Sequence, residues 1–147
     1  MSMHDIRITS DDKLLGIIRI ILGIIFLMTG VMKFFFPVFT EAWLGQLIQA
    51  GIPLVTFNFF LVPIIEILLG LILLKGLFTR FFTLIVFPIM LVAIYAHFAV
   101  EDASLFPIQP KFPIVPIIVI IMATILLRKG AGSWSDDLRW TVKSKKT

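Results

Sequence analysis

The stretch LLGIIRIILGIIFLMTGVMKFFF, Leu14 to Phe36, decides the fold of this chain. Apart from Arg19, Thr29 and Lys33 it carries no polar side chain. Roughly 20 apolar residues suffice to cross a hydrocarbon core about 30 Å thick, so the stretch reads as a membrane span. Working outward, three more apolar runs follow: Val55 to Leu74, Phe81 to Val100 and Phe112 to Leu127. The last is the shortest. At about 1.5 Å per residue it covers about 24 Å, so it stands upright or draws on Phe106 to Pro110 for length.

Composition agrees with these runs. Of 147 residues, 59% are hydrophobic and 15% charged, and the mean hydropathy is +1.07, values of a membrane protein rather than a soluble domain. The expected fold is all-α, a four-helix transmembrane bundle running up-down-up-down. One membrane domain spans residues 1–147, with spans at about 14–36, 55–74, 81–100 and 112–127 and a basic cytoplasmic tail over 128–147. Between spans one and two, Pro37 to Pro53 is too polar to cross. Trp43, Leu44, Leu47 and Ile48 recur there at helical spacing, which predicts a short interfacial helix ended by Gly51-Ile52-Pro53. The link from Lys75 to Arg80 is tight and predicts that spans two and three are antiparallel neighbours. Pro63 and Pro88 fall inside those spans and are expected to bend them, and Pro116 suits the first turn of span four.

Charge sets the orientation. Arg7, Lys13, Lys75, Arg80, Arg128, Lys129, Arg139, Lys143, Lys145 and Lys146 fall on one side of such a bundle, against Lys111 alone on the other. The positive-inside rule then places both termini in the cytoplasm of a multi-pass protein of the cell's inner membrane. The net charge of +4 suits anionic lipid headgroups and calls for no nucleic-acid partner. Asp11-Asp12 ahead of a full-length apolar run, with no small-residue cleavage site, predicts that span one is retained. With no cysteine, the chain supplies no disulfide, thiol relay or iron-sulfur site, so no thiol-based or covalent cofactor is expected. His97 and His4 are the only histidines, too few inside the membrane for a bis-histidine haem, and no metal site or known catalytic motif is present.

Four acidic or basic residues lie inside apolar runs: Arg19, Lys33, Glu66 and His97. Ionisable groups in lipid are costly and mark functional or partnered positions. On span one, Gly16, Arg19, Gly23, Phe26, Gly30 and Lys33 fall at steps of three and four, a seam of small residues that admits a neighbouring helix and turns both cations inward. Glu66 and Gly70 offer the counterpart on span two. Counted from the cytoplasmic ends, Arg19 lies roughly 8 Å deep and Glu66 roughly 12 Å, which predicts an Arg19–Glu66 ion pair. Lys33, Asn58 and His97 share a depth at the other end and are expected to form a polar pocket, with Glu41, Glu101 and Asp102 at its rim. The structural alternatives are that Lys33 snorkels to the interface, that His97 makes one backbone hydrogen bond, and that the charge pair only fixes helix register.

At these residues the chain resembles the DoxX family of small membrane proteins. The matching pieces run in order: Arg19; GIIFLMTGVMKF from Gly23 to Phe34; GIP from Gly51; EILLGLILLKGLFTR from Glu66 to Arg80; MLVAIYAH from Met90 to His97; and GAGSWSDD from Gly130 to Asp137. The resemblance implies a four-helix membrane bundle in which Arg19, Gly30, Lys33, Glu66, Gly70, Gly76, Arg80 and His97 match recurrent positions. Some relatives are named as subunits of thiosulfate:quinone or quinol oxidoreductases, while others accompany detoxification or maturation systems. The proline-rich stretch before span four departs from the family's plainer connection. Two functions follow as expectations: the membrane subunit of a quinone-linked oxidoreductase system with an intrabundle polar site, or a non-enzymatic scaffold or assembly factor for a partner protein. A small-molecule carrier, working as a homo-oligomer, is the third. Whether the chain is itself an enzyme stays open at this point.

Overall fold

The computed structural model describes residues 6–144. Lys145 and Lys146, which belong to the charge balance, and His4, one of the two histidines, lie outside the described residues. Among the described residues the chain is all-helical, with six α-helices, one 3-10 turn and no strand. The helices are α1 (Lys13–Phe35), α2 (Pro37–Gln49), α3 (Val55–Lys75), α4 (Thr79–Ala99), α5 (Ile114–Lys129) and α6 (Asp136–Ser144), with the 3-10 turn at Ala103–Leu105. Three of them, α1, α3 and α4, are long and apolar enough to cross a membrane.

Local chemistry sets the ends of these helices. Asp12 caps α1, its carboxylate accepting from the Leu14 and Leu15 amides at 2.8 and 3.3 Å. Phe36 is extended and Pro37 begins α2, so the chain turns sharply where the apolar run meets proline. Gly76, with φ +68°, closes α3 in the left-handed conformation. Pro63 and Pro88 lie inside α3 and α4, and both helices continue through them. Pro116 sits in the first turn of α5. That helix starts at Ile114 rather than Phe112, because three prolines keep Phe106 to Pro113 out of helical geometry.

α1 packs along α3, and α4 along α5, while α1 also meets α5. α3 and α4, joined by three residues, touch one another but pack far less extensively than α1 on α3 or α4 on α5. The α1–α3 contact is tight because small residues face backbone. A Cβ on Gly70 would stand 2.5 Å from the Leu27 amide nitrogen, and one on Gly30 would stand 2.7 Å from the Pro63 carbonyl. Leu22, Phe26, Leu69 and Leu73 meet Val86, Val119, Ala123 and Leu126 in one apolar core. That core fills the half of the molecule nearer the termini, the proximal half.

The stretch after α5 is not a free basic tail. Gly130 to Ser135 folds back beneath the proximal ends of α1 and α3, and α6 packs on with Asp137 only 1% exposed. Asp137 accepts from the Phe78 and Thr79 amides at 3.0 and 2.8 Å and pairs with Arg7 at 3.1 Å. It thereby caps α4 from a distance of more than 50 residues along the chain.

Candidate functional site

Arg19 is fully buried, and the expected Arg19–Glu66 pair does not form. Register explains why. Gly23 faces Gly70 to Leu74, and Gly30 faces Pro63 to Ile67. Extrapolated along antiparallel helices, Arg19 lies level with the last turn of α3, about 15 Å along the axis from Glu66. Depth counted from the ends of the two runs assumed flush ends, whereas α1 extends beyond α3 by about two turns. The Gly130 to Ser135 segment fills the step this leaves.

Arg19 finds its partners in that step. Its guanidinium donates to five backbone carbonyls: Ala131 (3.0 Å), Leu73 and Leu74 (2.6 Å each), and Ser133 and Trp134 (3.1 Å each). Arginine has five N–H donors, so every one is satisfied. Two of the acceptors belong to the last turn of α3, where the helix dipole favours a cation. The residue clamps the C-terminal segment to the helices.

Glu66 pairs instead with Lys33, whose ammonium lies 2.7 and 2.8 Å from the two carboxylate oxygens. Glu66 is 3% exposed. The Trp43 ring lies 4.4 Å from the same ammonium, a cation–π contact delivered by α2. The Trp43 indole N–H donates to the Phe59 carbonyl at 3.3 Å, fixing the ring. From sequence Trp43 is placed only on an interfacial helix, because the break at Phe36-Pro37 ends the periodicity that would relate it to Lys33.

Lys33, Glu66 and Trp43 line a cavity of about 550 Å³ in the distal half of the molecule, between α1, α2, α3 and α4. Phe26 and Val119 of the apolar core also border it. Asn58 and His97 line the same cavity, so it contains all three residues expected in the polar pocket. Each of those two has a local backbone partner: the Asn58 amide donates to Pro53 O at 2.7 Å, and His97 Nδ1 lies 2.8 Å from Ala93 O. A carbonyl can only accept, so Nδ1 carries the proton and Nε2 of a neutral ring is an acceptor. Phe106, in the proline-rich stretch, stacks on the His97 ring at 4.2 Å between centroids. Lys111 donates to the His97 and Val100 carbonyls, closing the end of α4. Glu41, Glu101 and Asp102 do not line the cavity. Asp102 instead caps the 3-10 turn through the Ser104 amide at 2.9 Å, and its hydrogen bonds with Ser104 hold its carboxyl below the usual range.

An all-helical chain with three membrane-length helices and a polar group set into an apolar interior is an integral membrane protein with an internal site. Comparison with protein families matches residues 14–100 to DoxX, and the chain belongs to that family. The match ends with α4, so α5 and the C-terminal clamp lie outside it. No curated protein and no solved structure matches the chain.

Proposed function

We propose that this protein is the ligand-binding membrane subunit of a quinone-linked oxidoreductase system, holding a quinone ring in the distal cavity. One observation carries the reading: an ion pair is built into the wall of a cavity whose lining is otherwise mostly apolar. The volume lies within the roughly 300–1,000 Å³ usual for small-molecule sites. Lys33 has three donors and directs two short contacts at Glu66, leaving one for a carbonyl oxygen of the ring. Glu66 balances the ammonium and can accept a proton, and His97 Nε2 offers a second acceptor. A quinone supplies the two-electron chemistry when bound, and reducing equivalents pass to or from a partner protein.

The scaffold reading makes Lys33–Glu66 a lock between α1 and α3. Those helices are already held by backbone-to-glycine contact at Gly23, Gly30 and Gly70, so a lock adds little there. In the same proposal α5 crosses the membrane as the fourth span of an up-down-up-down bundle. Its exposed Ile114, Ile117, Ile118 and Ile121 face lipid, and both termini lie in the cytoplasm of an inner-membrane protein.

Thermal unfolding of the purified protein tests the reading. A benzoquinone should raise the midpoint of the native chain and leave that of Lys33→Met unchanged. Equal shifts in both, or none in the native chain with its partner present, would remove the quinone from the account.

A further inference from the structure

We propose that the distal cavity is entered sideways, from within the membrane, through a slot between α3 and α4, and that its ligand carries a long isoprenoid-type or alkyl tail which lies in that slot. The inference rests on the ring-binding reading above and adds the route and the tail.

The slot follows from the packing. α3 and α4 are consecutive helices joined by Gly76 to Phe78, yet they pack on each other far less than α3 packs on α1 or α4 on α5. What separates them is the cavity. On α4, Pro88 and Val92 stand one turn apart, both line the cavity and both are exposed, Val92 at 47%. On α3, Leu61 and Ile65 stand one turn apart, line the cavity and are half-buried. The interior therefore communicates with the outer surface at the level of two membrane-length helices.

The rim chemistry identifies what passes. Four cavity-lining residues are exposed and all are apolar: Pro88 and Val92 on the slot, and Pro53 and Ile108 at the distal end. A mouth for a water-soluble solute would present hydrogen-bonding or charged groups, whereas an apolar rim in a membrane meets hydrocarbon. The distal end is tied across by polar contacts: Gln46 donates to the Leu105 carbonyl, and the Tyr95 hydroxyl donates to Ala50 O at 3.0 Å. Lys33 and Glu66 mark the end where a polar head is held, and the slot leads from there to lipid. A head-and-tail amphiphile matches both ends, and a bare ring does not.

Binding to the full chain in lipid nanodiscs tests this. The two probes are a dimethoxy-methyl-benzoquinone with a decyl tail and the same ring without it, titrated against tryptophan fluorescence, with Trp43 reporting from the cavity wall. Val92→Trp and Leu61→Phe narrow the slot from opposite sides. Each should weaken the tailed probe about tenfold or more and the tailless ring by less than about twofold. Retained binding of the tailless ring shows that the variants are folded. Variants that weaken both probes equally, or neither, overturn the slot and leave the ring site standing. If the native chain binds neither probe, the ring-binding reading itself fails, and the slot with it.

Discussion

Arg19 and Lys33 meet the cost of a cation in an apolar helix in different ways. Arg19 is satisfied by five carbonyls and by no carboxylate in contact, so its role is to hold chain segments together. Replacing it with lysine keeps the charge but offers three donors to five acceptors. Arg19→Lys should lower stability by about 2 kcal/mol or more. It should also raise amide hydrogen exchange over residues 131–135, because the clamp on that segment loosens. Lys33 is balanced by one carboxylate, and removing either partner strands the other. Glu66→Ala should cost about 3 kcal/mol, and adding Lys33→Met should restore most of it. Denaturant unfolding of the single and double variants in micelles measures this, and additive losses would show that the two residues are not coupled.

Which cation pairs with Glu66 was the part of the site that residue spacing could not decide. Both Arg19 and Lys33 lie on one face of α1, and an arm of either length can cover a few ångströms. The choice depends on how far α1 slides past α3, and that is set by glycine contacts with the partner backbone rather than by the limits of the apolar runs. The role of Asp137, which the sequence shows only as the end of the GAGSWSDD piece, was not legible for a similar reason. Its partners, Arg7 and the amides of Phe78 and Thr79, are brought to it by the chain's return beneath the bundle, which no local periodicity encodes.

At the scale of elements, the helices up to Lys129 were legible because apolar runs ended at turn chemistry, Phe36-Pro37, Gly76 and the prolines before Ile114, whereas α6, with no apolar run, reads only as a basic tail. The glycine seam was legible from its three-and-four spacing. The pairing of helices was not, since a short link requires two helices to be joined at one end and says nothing of the other. A contrast between two glycines measures how much the seam matters. A Cβ on Gly70 meets the backbone of Leu27, which cannot yield, whereas a Cβ on Gly45 meets the far end of the Leu105 side chain, which can rotate away. Gly70→Ala should therefore cost about 2 kcal/mol or more, and Gly45→Ala less than about 1 kcal/mol. Unfolding midpoints of the two variants, compared under identical detergent, check the ranking.

At the scale of the whole molecule, an apolar core fills the proximal half, and the distal half holds the cavity and a smaller apolar cluster around Ala96, Val100 and Phe106. The clamp holds the first half, and the ion pair serves the second. Orientation in the membrane can be read directly, because the chain has no cysteine to confuse labelling. Ser104→Cys should react with an impermeant maleimide added outside intact cells, and Ser144→Cys only after permeabilisation. The reverse pattern would turn the molecule over.

The clamp also bears on how the protein is made. Three of the five carbonyls that receive Arg19 come from residues 112 to 115 positions further along the chain. At about 5–20 residues per second, α1 is synthesised on the order of ten seconds before those acceptors exist. During that interval the guanidinium can reach at most the Leu73 and Leu74 carbonyls, made 54 and 55 residues after it, and otherwise relies on water, headgroups or the insertion machinery. Helix α1 is thus among the last to reach its final hydrogen bonding, and a nascent chain cut short before Ala131 carries an arginine lacking three of its five acceptors.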